Sequence, residues 1–113
     1  MGSKTKQLAK VLDQIISLLE SDDEVHWKKW MSESKRRLQN SDFSGIEHLL
    51  SAYGGMGSFS DLVICQSTKD GGFVWKKGYK KRNNTLGKLR TKAWELATYI
   101  KRNHEIVGTE PGV

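Results

Sequence analysis

A chain of 113 residues with 36% hydrophobic residues and a mean hydropathy of −0.61 holds apolar material for one small core, in which four tryptophans must supply much of the buried area. No apolar run reaches the length of a membrane span and no basic-then-apolar leader opens the chain; one cysteine, Cys65, excludes an internal disulfide, so a cytoplasmic protein with no membrane partner is expected. The net charge of +6 is uneven, with eight Lys/Arg against nine Asp/Glu over residues 1–68 and eleven against four over 69–113.

Leu8, Val11, Leu12, Ile15, Ile16 and Leu19 recur at three- and four-residue spacing and predict an amphipathic first helix from about Lys4 to Glu20. Ser21-Asp22-Asp23 reads as a stop and a cap, with Asp22 or Asp23 accepting from the free amides of a second helix over about Glu24–Gln39. That helix gathers Trp27, Trp30, Met31, Ser34 and Leu38 on one face. After Asn40-Ser41-Asp42 the pattern restarts, and Phe43, Ile46, Leu49, Leu50 and Tyr53 make a short third helix with Gly54 as its left-handed C-terminal cap. Leu62-Val63-Ile64-Cys65 is expected as a buried strand, Ser67–Gly72 as a turn, and Phe73-Val74-Trp75 as the returning strand of a hairpin. A basic loop then leads to Asn83 or Asn84, which caps a last helix with the stripe Leu86, Leu89, Ala93, Leu96, Ala97 and Ile100 and Trp94 at its edge.

The expected fold class is α+β, mostly helical: about four helices with a short strand or β-hairpin between helices 3 and 4. One domain is expected over residues 1–113, with an ordered core over about 4–103 and a frayed tail over 104–113. Trp30, Ile46, Leu50, Leu62, Ile64, Leu89 and Leu96 should be largely buried.

Three of the four residues Gly54, Gly55, Met56 and Gly57 are glycines, which disfavour helix and strand interiors. The segment runs from helix toward strand and holds no lysine, the reverse of a phosphate-binding loop. Ser58, Ser60 and Asp61 are near enough to satisfy the turn amides themselves. We therefore read Gly54, Gly55, Met56, Gly57, Ser58 and Asp61 as a structural motif, with positive φ at Gly54 or Gly55 and amide hydrogen bonds to Asp61.

His26, His48 and His104 lie at no metal-ligand spacing, so no metal and no cofactor are expected, and His26 and His48 read as surface helix residues. Cys65 sits in an apolar tetrapeptide and reads as a small buried hydrophobe; paired with His48 as a nucleophile it would lack a third orienting group. No catalytic residues are assigned and an enzyme is not expected. Partner binding is the chemistry the chain suggests. Lys76, Lys77, Lys80, Lys81 and Arg82 interleave with Trp75 and Tyr79, and Lys88 follows. Such a mixture suits an acidic protein surface or, by phosphate contact and base stacking, a nucleic acid.

The run Gly54-Gly55-Met56-Gly57-Ser58-x-x-Asp61-Leu62-Val63 resembles the signature of a family of small, uncharacterised bacterial proteins, and the closing helix with Asn84, Leu86, Leu89, Trp94, Leu96 and Ala97 is similar too. The resemblance covers roughly residues 43–100 and transfers no reaction. It implies a bacterial immunity-type protein whose partner is a cognate protein toxin; the charge and aromatic residues of the 76–92 patch give the alternative, a nucleic-acid-binding accessory protein.

Overall fold

A computed structural model describes residues 2–103, so the tail expected to fray lies outside the described residues. The elements follow in the order α1 (Ser3–Ser21), α2 (Val25–Gln39), α3 (Ser44–Leu50), a 3-10 turn (Phe59–Asp61), β1 (Gln66–Lys69), β2 (Gly72–Trp75) and α4 (Tyr79–Arg102). These are four helices with an antiparallel hairpin between the third and fourth, a mostly helical α+β fold. α1 lies against both α2 and α4, while α3 packs on α2 and, less extensively, on α4.

The periodic faces read from the sequence meet in one cluster: Leu8, Leu12, Ile15 and Leu19 of α1 with Met31 and Leu38 of α2, Ile46 and Leu49 of α3, and Leu86 and Ile100 of α4. Ile46, Ile64 and Leu96 are buried as expected; Trp30, Leu50, Leu62 and Leu89 are half-buried and pack against the cluster. Phe59 closes it from the turn, its ring 5.5 Å from that of Trp27 and 5.6 Å from that of Tyr53. The α2–α3 approach needs a glycine: a Cβ on the buried Gly45 would stand 2.9 Å from the Ser34 carbonyl oxygen and 3.0 Å from Arg37 Cβ.

Several local expectations are corrected, and the reasons share a pattern. Residues 62–65 form no strand. The Asn83 side chain takes both backbone groups of Ile64, accepting from its N–H at 2.8 Å and donating to its carbonyl at 2.9 Å. Cys65 turns away at φ 67° and donates its N–H to Asp22 at 3.1 Å. The strand starts one residue later, at Gln66, and four of the six residues of the expected Ser67–Gly72 turn belong to β1 and β2. Only Asp70-Gly71 turns; both have positive φ (52° and 81°), the backbone that a tight hairpin of matching twist requires.

The caps also differ. Neither Asp22 nor Asp23 caps α2, whose N-cap is Glu24 without a side-chain bond, because the Asp22 carboxylate is engaged with Cys65. Asn83 and Asn84 lie inside α4, which begins at Tyr79 after Gly78 turns the chain at φ 80°. The basic segment is thus largely the first helical turn rather than a loop. α3 ends at Leu50 with Ser51 as C-cap, so Gly54 does not cap it, although Gly54 has the expected positive φ of 145°.

Candidate functional site

The stretch from Phe59 to Cys65 passes between the helices and the hairpin with almost no ladder of its own. Buried or half-buried backbone groups must find partners somewhere. Here they come from polar side chains on the two longest helices. Asp22 at the end of α1 holds Cys65, Asn83 on α4 holds Ile64, and Arg90, two turns on, donates from Nη1 to the carbonyls of Phe59 at 2.9 Å and Leu62 at 3.0 Å. Asn83 also donates to the Tyr79 carbonyl at 2.9 Å, which fixes its amide orientation. The tethers set where the hairpin projects.

Ahead of them, the glycine turn is held by its own side chains, as expected. Gly57 N–H donates to Asp61 Oδ2 at 3.2 Å, and Ser58 Oγ donates to the Gly54 carbonyl at 3.1 Å while accepting from Ser60 N–H at 3.2 Å. Ser60 Oγ accepts from Gly54 N–H at 3.4 Å. The Gly54 and Gly57 amides so engaged are not offered to an anion. Positive φ requires glycine at Gly54 and at Gly57 (79°). Around Gly54, Gly55 and Gly57 a Cβ would meet nothing within 4 Å, and Met56 at the tip is 99% exposed.

The hairpin is bare. All eight of its strand residues are exposed, with Phe73 at 78%. Trp75 leaves β2 to stack on Tyr79 of α4, ring centroids 4.5 Å apart and planes 17° from parallel. Between this stack and the glycine turn lies a cleft of about 370 Å³ lined by Trp27, Gly57, Ser58, Asp61, Leu62, Val63, Gln66 and Trp75. Val63, exposed rather than buried in a strand, adds to its apolar rim.

The basic residues divide into two groups. Lys76 Nζ stands 3.1 Å from Asp22 Oδ1 and its N–H donates to the Cys65 carbonyl at 2.7 Å; Arg82 Nη2 donates to Ser21 Oγ. Both side chains are committed to the end of α1. Lys77, Lys80 and Lys81 are exposed, and Lys80 Nζ lies 6.0 Å from the Tyr79 ring. Lys88 is set apart, in a groove along α4 with Asn84, Gly87 and Lys92. The structure therefore brings Trp75, Tyr79, Lys77, Lys80 and Lys81 together at the hairpin base and turns Lys76 and Arg82 to structural use.

One pairing went unread in the sequence. His48 is half-buried rather than on the surface: its ring stacks on Trp30 at 4.4 Å and its Nδ1 lies 2.7 Å from Ser34 Oγ, while Trp30 Nε1 donates to the His48 carbonyl at 2.9 Å. Burial, and then the Arg37 charge, hold the imidazole below its ordinary pKa. Ser34 has no exposed surface, so this serine–histidine pair is closed to a substrate and joins α2 to α3. Cys65 is likewise buried. Among the described residues, no three of His, Cys, Asp and Glu converge as a metal-ligand group, and no helix is long and apolar enough to cross a membrane.

No curated protein and no solved structure matches the chain. A family model described as a domain of unknown function, DUF6966, matches residues 9–71, from α1 through the glycine turn to the hairpin turn. The match includes Asp22, Asp61 and the core faces of α1 to α3; β2 and α4, with Trp75, Tyr79 and the lysines, lie beyond it. Because more than half of the chain is matched, this protein belongs to the DUF6966 family.

Proposed function

We propose that this chain is an immunity-type protein that neutralises a cognate toxin by covering it with the hairpin and the first turn of α4. The observation that carries the reading is the exposure of Phe73, Val74 and Trp75 beside the exposed Lys77, Lys80 and Lys81. A two-stranded ribbon with neither face covered is marginal by itself, and large aromatic area within a cationic surround is what binding hot spots use. Inhibition needs only a complementary surface, and a positive face speeds encounter with an acidic one.

The test is co-expression with a toxin domain encoded directly upstream. The wild type should protect cells, and a Lys77→Glu, Lys80→Glu, Lys81→Glu variant with unchanged circular dichroism should not. Lys76 and Arg82 stay intact because their reversal would disturb the end of α1. Association should slow as salt rises, since the field is screened over about 8–10 Å. Equal protection by the triple variant would overturn the reading.

A specific observation keeps nucleic acid as the second reading. The Trp75–Tyr79 stack lies beside Lys80 and Lys81, and Lys88 follows Lys81 by seven residues, about 10 Å along α4. That reading requires the purified protein to retain DNA or RNA, with affinity falling steeply in log salt, by about 0.7–0.9 per phosphate contact.

A further inference from the structure

A second cleft flanks the glycine turn and uses other residues from those of the partner-binding face. It has a volume of about 750 Å³ between α3, the turn and α4, with Tyr53, Gly54, Ser60, Arg90, Thr91 and Trp94 among its walls. Arg90 and Trp94 are four residues apart on α4 and so share a face. The Trp94 indole is 46% exposed there. No carboxylate lines the cleft, and Arg90 has no ion-pair partner among the described residues.

The guanidinium is held in one orientation. Both Nη1 hydrogens are used, on the Phe59 and Leu62 carbonyls, and Cζ sits 5.8 Å from the Phe59 ring centroid. What remains is the Nε–H and Nη2–H edge, with no protein acceptor among the described residues. These two N–H bonds point in parallel and match the two oxygens of a carboxylate. Tyr53 cannot compete as an anion: its hydroxyl donates to the Arg90 carbonyl at 2.6 Å and burial raises its pKa. A half-buried cation without a counter-charge, fixed in place beside an exposed indole, is prepared for an anion with a flat apolar body.

We propose that this cleft binds a carboxylate carried on a planar apolar group, gripped side-on by the Nε–H and Nη2–H edge of Arg90 and covered by Trp94. Two sources supply that chemistry: a free aromatic acid, or the terminal carboxylate of a chain ending in an aromatic residue.

The experiment is a 1H–15N NMR titration of the full chain with four probes: indole-3-acetate, indole-3-acetamide, and a tetrapeptide ending in Phe as the free acid and as the amide. The acids should give saturable shifts at Gly54, Ser60, the Arg90 Nε–H and the Trp94 indole N–H, and each amide should bind at least about tenfold more weakly. Tighter binding of the peptide acid assigns a chain terminus, and tighter binding of indole-3-acetate assigns a small acid. Arg90→Lys keeps the charge and loses the fork, but it also releases the Phe59 and Leu62 carbonyls. Thr91→Glu therefore carries the mutational arm. Thr91 is exposed and bonds neither carbonyl, and the added carboxylate should weaken the acids by about tenfold or more. No saturable shift with either acid up to about 10 mM, equal binding of acid and amide, or unchanged binding by Thr91→Glu would each overturn the assignment. None of these outcomes depends on toxin protection.

Discussion

Asp22 is where the helical core and the hairpin are joined, and its removal is the sharpest test of that architecture. Its side chain is only 8% exposed, and its two oxygens face Cys65 N–H and Lys76 Nζ, each at 3.1 Å. Asp22→Ala leaves the N–H of the buried Cys65 without an acceptor, which costs about 1–3 kcal/mol, and the lost charge assistance raises the lower end. The Lys76 ammonium is 41% exposed, so solvent screens the ion pair and its share is about 0–1 kcal/mol. The sum is about 2–4 kcal/mol, a large part of the roughly 5–15 kcal/mol that holds a domain together. For a chain of this size it corresponds to a fall in Tm of about 8–16 °C. Asp22→Asn keeps an acceptor for Cys65 and loses the charge, so it should cost about 1 kcal/mol, as should Lys76→Met. Urea unfolding at constant m-value measures all three. Amide exchange in Gln66–Trp75 should quicken in Asp22→Ala before that of α1 does, because the hairpin opens first. A cost below about 0.5 kcal/mol for Asp22→Ala, or equal costs for Ala and Asn, would refute the claim that this carboxylate holds the hairpin through the Cys65 amide.

Three further outcomes are expected. Gly45→Ala should destabilise by about 1–3 kcal/mol in chemical denaturation, because the new methyl meets the backbone of α2 and the helices must part. Thr5→Val should stabilise by about 0.5–2 kcal/mol in the same assay: Thr5 is fully buried and its Oγ1 has no hydrogen-bond partner, so the isosteric methyl removes a desolvation cost. His48 has a depressed folded-state pKa, so protons bind the unfolded chain more readily. Its contribution is fully present above the ordinary imidazole value near about 6.5 and is lost as pH falls from there toward the folded-state value. Urea midpoints of the wild type should therefore drop between about pH 7 and pH 5 more than those of His48→Gln, and parallel profiles would count against a desolvated imidazole.

The glycine turn shows how far local reasoning reaches. Ser58, Ser60 and Asp61 lie within seven residues of the amides they satisfy, so composition alone announced the bonds that form. The hairpin turn was also present locally, since Asp70-Gly71 suits two successive positive φ values, but the expected loop around it was too long. The basic patch was visible as charge, whereas its division was not. Whether Lys76 faces solvent or Asp22 depends on a carboxylate 54 residues away.

Taken alone, the sequence determined the helices and their inward faces, because a 3.6-residue period of apolar side chains can be buried in only one way. It likewise determined the order of elements and the concentration of positive charge toward the end. Only the tertiary structure decided what the polar residues do. Asp22 and Asn83 have the composition of caps, and a cap is the best local use of such side chains. Once the helices pack, a more demanding need appears: the backbone of residues 59–65 lies half-buried without a neighbouring strand. Asp22, Asn83 and Arg90 answer it at sequence separations of 43, 19 and up to 31 residues. No local pattern records such distances, because the cost of an unpaired backbone group arises only when water has been excluded from it.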